Sequence, residues 1–399
     1  MKCTLRGAQL VDAQHDTPRG DLTIEDARIL TVGTFSAPSG ASHTVFDATG
    51  MIVTPGFIDV HTHGGGGCNL HTTDAREISA YARWAPQTGV TAFLIGVVGT
   101  PGALPQAQLR ASVDAIATQS VEAAEPLGIH LEGPYISEAR RGAHAPAWLR
   151  EPNASEIEEV LAITSGNLRL ITLAPELPGA AEIMRRLVQA SVTVSIGHTD
   201  ATYEQTLEAL ALGATHVTHC CNAMRPLHHR EPGPIGAIVR APQVYGELIA
   251  DGVHVHPAMM DILVRILGPE RTIVITDALA GAGMPDDGVF EFAGQQARVI
   301  CGAARLADGT ITGSILTMDQ ALRNILKMTH VSLQDAIAML TINPARSIKV
   351  GARKGLLHPG YDADLLVFDD TLTLQATFCR GALTFATDAW QARAVVSDA

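Results

Sequence analysis

The stretch that most constrains what this chain can fold into is PGFIDVHTHGGGG, residues 55–67. Phe57, Ile58 and Val60 are apolar and strand-forming, and the run ends in His61-Thr62-His63 before four consecutive glycines. In an extended strand residues i and i+2 face the same side, so the two imidazoles converge on one point. Neutral imidazoles placed this way suit a borderline cation such as zinc. The glycines let the backbone turn sharply and come close to whatever lies above it. A lone His-x-His pair reads equally well as surface decoration; an apolar strand before it and a glycine loop after it favour a site.

Composition narrows the function classes. The net charge is −13 with histidine neutral, and no block of basic residues occurs, which argues against nucleic-acid binding through a basic face. No apolar run reaches the roughly 18 residues of a membrane span, and MKCTLRGAQLVDAQ lacks the apolar core of a signal peptide. A cytoplasmic protein with no membrane partner is expected. Cys3, Cys68, Cys220, Cys221, Cys301 and Cys379 form no C-x-x-C pair, so reduced thiols are expected, with Cys220 a small buried hydrophobe. The only lysines are Lys2, Lys327, Lys349 and Lys354, which excludes a Schiff-base or P-loop lysine between residues 3 and 326.

With 399 residues and 46% hydrophobic content, the chain is long enough for one large and one small domain. Residues 1–53 alternate apolar and polar positions with Gly, Asp and Pro punctuation, as short strands do. The same register returns in KGLLHPGYDADLLVFDD and ATFCRGALTFATD. Both ends are therefore expected to pair into one small β-sandwich (1–53 and 352–399), with residues 54–351 inserted. In that middle, eight apolar runs alternate with helical stretches: 56–61, 90–96, 127–132, 168–174, 192–197, 215–219, 245–251 and 272–277. This α/β order predicts a (β/α)8 TIM-like barrel, with chemistry at the carboxyl ends of the strands. A doubly wound open sheet is the alternative, but no G-x-G-x-x-G follows a strand. MDQALRNILKMT and LQDAIAMLTINPARSI read as closing helices.

Six of the eight strand candidates end in metal-ligand or acid–base residue types: His61 and His63, Glu132, His198, His219, His254 and Asp277. Each alone could be an ordinary polar residue at a strand end. In GHTDATYEQ, Thr199 or Asp200 is expected to cap the next helix and leave His198 at the barrel mouth. In THVTH a spacing of three puts His216 and His219 on opposite faces, so His219 is assigned to the metal and His216 to packing. His130 shares a face with Glu132 one layer deeper and reads as core or as support for the ligands.

The His-x-His strand end and the split small domain resemble the amidohydrolase superfamily, although the carbamylated lysine that bridges two metals in some of its members is missing. HLEGPYISEARRGAH, GHTDATYEQ, THCCNAMRPLHHREPG, ADGVHV, VITDALAGAGM and TGSILTMDQALRN narrow the resemblance to the N-acetylglucosamine-6-phosphate deacetylases, across nearly the whole barrel. The resemblance implies that Glu132, His198 and His219 bind the principal divalent metal. His61 and His63 match members able to hold a second ion, so one or two ions per subunit are implied, with zinc first and iron, manganese or cobalt as alternatives. It further implies that amides near Asn222 and Ala223, with Arg230, bind phosphate. His144 and His254 correspond to residues that hold the sugar and the amide. Because that arginine reaches the neighbouring subunit's site in the family, a homodimer is implied. His228, His229 and Arg225 read equally as phosphate contacts or a solvated loop, and Arg140-Arg141 reads first as surface charge and only second as a lure for the anion.

The expected reaction is hydrolysis of the acetamide of a phosphorylated amino sugar. A divalent ion lowers the pKa of water from about 15.7 toward about 7. Asp277 is expected to accept the proton and return it to the leaving nitrogen, with His144 helping at the developing oxyanion. Two rivals stand: another amidohydrolase, such as a cyclic-amide hydrolase or deaminase, and a catalytically dead scaffold. The galactosamine epimer of the substrate differs by one hydroxyl orientation, which the sequence does not resolve.

Overall fold

The computed structural model describes residues 2–33, 43–285, 287–292, 294–300, 302–307 and 309–397; Cys301 lies outside them. Eight strands form one parallel sheet in sequential order: β1 (Phe57–Asp59), β2 (Val90–Val98), β3 (Glu125–Glu132), β4 (Leu168–Leu173), β5 (Thr193–Ile196), β6 (His216–Val217), β7 (Tyr245–Ile249) and β8 (Thr272–Ile275). All eight expected strands are present. Every residue of β2 is buried, as a strand covered on both faces must be. Full burial of each large apolar side chain there contributes on the order of 1.5–3 kcal/mol.

The seam between β1 and β8 is closed just beyond their ends. Asp59 accepts hydrogen bonds from the Thr276 hydroxyl at 2.6 Å and the Thr276 amide at 3.4 Å. The Asp277 amide donates to the His61 carbonyl, and the His63 amide to the Ala278 carbonyl, each at 2.8 Å. This closure places the His61–His63 turn against the Asp277 turn.

The helices follow their apolar periodicity. The helix Ala180–Gln189 buries Ala180, Ile183, Met184 and Leu187, and Met318–Met328 buries Met318, Ala321, Leu322 and Ile325; both are i, i+3, i+4, i+7 stripes. The helix after β5 corrects one expectation. Its cap is Thr202, whose hydroxyl accepts the Gln205 amide while Gln205 accepts the Thr202 amide, a reciprocal box written in T-Y-E-Q. Thr199 and Asp200 are spent elsewhere: Thr199 donates to Glu176, and Asp200 pairs with Arg140 and Arg225.

Strands from both chain ends share one nine-stranded sheet, in which Ile52–Pro55 pairs antiparallel with Leu365–Phe368 and parallel with Lys2–Val11. Its own core includes Leu5, Leu22, Ile24, Phe46, Leu365, Phe378 and Trp390. A buried ion cluster ties this unit to the barrel. Lys354 Nζ lies 2.8 Å from Glu125 at the start of β3 and 2.9 Å from Asp362, and also pairs with Asp364. A four-stranded antiparallel sheet, Val289–Phe292, Gln295–Ile300, Ala303–Arg305 and Ile311–Ser314, follows β8; the strand and helix assignments from sequence left this segment out. No helix among the described residues is long and apolar enough to cross a membrane.

Candidate metal centre

Glu132 ends β3, and the chain then turns at Gly133 (φ 77°) and Pro134. His198, His219 and Asp277 each follow a barrel strand in a left-handed backbone conformation, at φ 49°, 27° and 48°. Such a conformation is uncommon for residues with a side chain and clusters at functional sites. Here it turns three polar side chains toward the barrel axis.

The glycine loop is packed as closely as its composition suggests. A Cβ on Gly65 or Gly66 would lie 2.3 or 2.5 Å from the Trp84 ring. The Gly66 and Gly67 amides donate to the carbonyls of Ala282 and Ala280 at 2.8 and 2.9 Å. The loop is thereby pinned between a helix and the turn after β8, with His63 at its start.

Two groups of three ligand-type atoms meet on Glu132: His61, His63 and Glu132, and Glu132, His198 and His219. Glu132 Oε1 is 3.0 Å from His198 Nε2 and 3.3 Å from His219 Nε2, and the two imidazole nitrogens are 3.0 Å apart. On the other side, Glu132 Oε2 is 3.2 Å from His63 Nε2 and 3.4 Å from His144 Nε2. Asp277 Oδ1 lies 3.4 Å from both His61 Nε2 and His63 Nε2.

These residues fit a divalent cation. His198 donates its Nδ1–H to the Arg140 carbonyl at 3.0 Å, which leaves its Nε2 lone pair aimed at Glu132 and at His219. Lone pairs this close repel unless a cation or proton lies between them. His61 Nε2 is likewise buried without a hydrogen-bond partner among the described residues. Two imidazoles and one carboxylate are the donor set of open catalytic zinc sites.

The electrostatics agree. Burial pushes the Glu132 carboxyl upward, but the charge of His61 and the adjoining His144, His198 and His219 rings hold it well below its ordinary range. Burial opposes charge on His61, yet Glu247, Asp277 and Glu132 raise it well above the usual imidazole value. Burial likewise opposes charge on His63, but hydrogen bonds to Asp277 and Glu132 raise it to about 9. Carboxylates that draw protons onto imidazoles hold a metal ion equally well, with release of those protons.

Above the ligands lies a cavity of about 230 Å³, lined among others by His144, Asn222, Ala223, His254, Asp277 and Phe292. Phe292, Ile311, Thr312 and Gly313 come from the antiparallel insertion, so the segment missed in the sequence forms one wall. His254 is held by Asp251 at 2.6 Å; burial opposes its charge and that bond raises its pKa. Burial lowers the pKa of His144, against its hydrogen bond to Glu132. Arg230 is exposed and not among the cavity lining, so this chain does not bring it to the other candidate residues. His228 and His229 are exposed beside it.

Two residues took on unexpected positions, Arg140 and Glu247, while His130 is buried beside the candidate ligands. Arg140, read as surface charge, is only half-exposed and bridges through Asp200 to Arg225 at 2.8 Å on each side. Glu247 on β7, which no motif singled out, contacts His61, His216 and His219 from beneath. A charged residue in the apolar run YGELIA was its one available signal. His130 bonds Thr172 at 2.9 Å and stands edge-on to the His61 ring.

The amidohydrolase family model matches residues 52–395. The N-acetylglucosamine-6-phosphate deacetylase of Lysinibacillus sphaericus is 34% identical, with 96% of this chain and 98% of that protein aligned. The N-acetylgalactosamine-6-phosphate deacetylase of Escherichia coli O157:H7 is 36% identical over 96% and 99%. Among solved structures, a mutant N-acetyl-D-glucosamine-6-phosphate deacetylase from Mycobacterium smegmatis, in complex with N-acetyl-D-glucosamine-6-phosphate, superposes with a TM-score of 0.88. It is 35% identical and covers 97% of this chain and 99% of its own. The Thermotoga maritima N-acetylglucosamine-6-phosphate deacetylase gives 0.85 at 30% identity, over 96% and 100%. The dihydropyrimidinase of Brevibacillus agri shares the fold, with a TM-score of 0.58 at 17% identity, over 97% and 95%. The chain belongs to the amidohydrolase family and, within it, to the N-acetylglucosamine-6-phosphate deacetylases.

Proposed function

We propose that this chain hydrolyses the acetamide of N-acetylglucosamine 6-phosphate to glucosamine 6-phosphate and acetate. The observation that carries this reading is the position of Asp277, whose carboxylate opens onto the same cavity as Glu132, His198 and His219. Those three residues would hold the principal divalent ion, zinc first, with iron, manganese or cobalt as alternatives. His61 and His63, sharing Glu132, would hold a second. When bound, such an ion acidifies water and polarises the amide carbonyl.

The chain's own residues do the rest. Asp277 takes the proton from the attacking water and later delivers it to the departing nitrogen; one carboxylate serves both steps because they are sequential. His144 donates a hydrogen bond to the oxygen on which negative charge develops. His254, braced by Asp251, contacts the sugar. The backbone near Asn222 and Ala223 receives the phosphate. Arg230, exposed and outside its own cavity lining, would meet phosphate across a homodimer interface, where a forked guanidinium suits phosphate geometry. The reaction belongs in the cytoplasm, with a small phosphorylated amino sugar as its substrate and no nucleic-acid or membrane partner.

The galactosamine epimer is kept as a second substrate, because the relative named for it is as similar as those named for the glucosamine compound. Acetate release from both 6-phosphates and from unphosphorylated N-acetylglucosamine tests the reading. Turnover of a 6-phosphate well above the free sugar is expected. Absence of acetate from either phosphorylated epimer would overturn it.

A further inference from the structure

Glu247 has no exposed surface, and the proposed chemistry makes no use of it. Its Oε2 accepts the Nδ1–H of His61 at 2.8 Å and the backbone N–H of His219 at 3.0 Å. Its Oε1 accepts the Nε2–H of His216 at 3.0 Å. A fully buried carboxylate is costly to desolvate and persists only when its lone pairs are filled. Here both oxygens are filled, and one of them touches both ligand groups: the ring of His61 from one and the main chain of His219 from the other.

The consequence falls on His61. With its Nδ1 proton given to Glu247, its Nε2 lone pair points at the space beside Glu132 and Asp277, 3.4 Å from each. A carboxylate behind a metal-binding imidazole fixes its tautomer and ring orientation and raises its basicity. His63 has no such support: its Nδ1 is buried without a hydrogen-bond partner among the described residues. The affinity of the His61–His63 pair for an ion therefore hangs on one braced ring.

We infer that Glu247 is a positioning residue that decides whether this chain retains one ion or two, and that it acts through His61. The inference rests on the metal-dependent reading above. Glu247→Gln keeps the shape and an acceptor for His61 but removes the charge. Glu247→Asp keeps the charge but is too short to reach His61, and is the second variant.

The test measures ions per subunit by elemental analysis across a graded chelator series, beside the melting temperature of each metal-free protein. In wild type two ions are expected, released in two steps. Either variant should weaken the less tightly held ion roughly 10–100-fold and the tighter one less, with the metal-free melting temperature separating this loss from any general loss of stability. Added to His61→Asn, Glu247→Gln should cause no further loss, since its route of action is already gone. Unchanged retention in both variants, equal weakening of both ions, or full additivity with His61→Asn would overturn the inference. A wild-type protein that holds a single ion would also overturn it while leaving the hydrolase reading intact. A wild-type protein that holds none would overturn that reading instead.

Discussion

Glu132 Oε1 stands 3.0 Å from His198 Nε2, and the His198 ring is held in that position by the hydrogen bond its Nδ1–H donates to the Arg140 carbonyl. The ligand is thus oriented by a loop two strands away. Arg140 is itself tied through Asp200 to Arg225, on the loop after β6. The Glu132–His198–His219 cluster is therefore held by hydrogen bonds among three loops at the carboxyl ends of the strands, where barrel enzymes place their chemistry.

Asp277 is the expected proton carrier. Asp277→Asn preserves shape but cannot accept a proton. It should keep the metal and substrate affinity and lower kcat by at least the roughly 10²–10⁴-fold typical of a general acid–base group. Steady-state kinetics on protein of verified metal content decide it, and near-normal kcat would transfer the role to His144.

Arg230 carries the phosphate expectation. Arg230→Ala should raise KM for the 6-phosphate by about 10-fold to 150-fold, from the roughly 1.5–3 kcal/mol of a lost charge-assisted hydrogen bond. Turnover of the unphosphorylated sugar should barely move. An equal penalty on both substrates would assign Arg230 to folding or assembly.

The eight strands could be read from the sequence because each is an apolar run, six of them followed by a polar residue, and burial leaves such a pattern little freedom. The candidate ligand residues stand out for the same reason: His61, Glu132, His198 and His219 interrupt or follow apolar runs where a barrel opens. Glu247 was not, since its contacts come from His61, His216 and His219, on other strands that only the closed barrel brings together. The insertion at 289–314 was passed over although VFEFAG alternates as a strand does. Its strands are short and broken by glycines, and no neighbouring motif gave it a place. Asp200 was misread as a cap because its partners, Arg140 and Arg225, lie 60 and 25 residues away.

Gly96 on β2 gives a steric test of the His-x-His turn. A Cβ there would lie 2.2 Å from the Thr62 carbonyl oxygen and 2.8 Å from His63 Nδ1. Gly96→Ala should therefore displace His63, weaken the second ion before the first, and destabilise the fold by about 1–3 kcal/mol. Thermal melting and elemental analysis report both effects, and unchanged values would show that the turn yields freely.

The ion cluster between the two proposed domains, divided at 53/54 and 351/352, predicts a pH dependence. Burial would raise Glu125, but Arg353 and Lys354 lower it from 4.5 to about 2. A carboxyl whose folded pKa is depressed stabilises fully above its unfolded value. That stability is lost as pH falls through the folded value. Glu125→Gln should thus cost about 3 kcal/mol at pH 7, and its gap from wild type should narrow as pH drops from 4.5 toward 2. Denaturant midpoints at several pH values measure this; a gap constant with pH would place the stabilisation elsewhere.

The central claim is that hydrolysis depends on a divalent ion held by Glu132, His198 and His219. Acetate release from N-acetylglucosamine 6-phosphate, followed while a strong chelator strips the ions and a divalent salt restores them, tests it most directly. Activity is predicted to fall with the last ion removed and to return with the first ion added. Full turnover by protein shown to be metal-free would contradict the account.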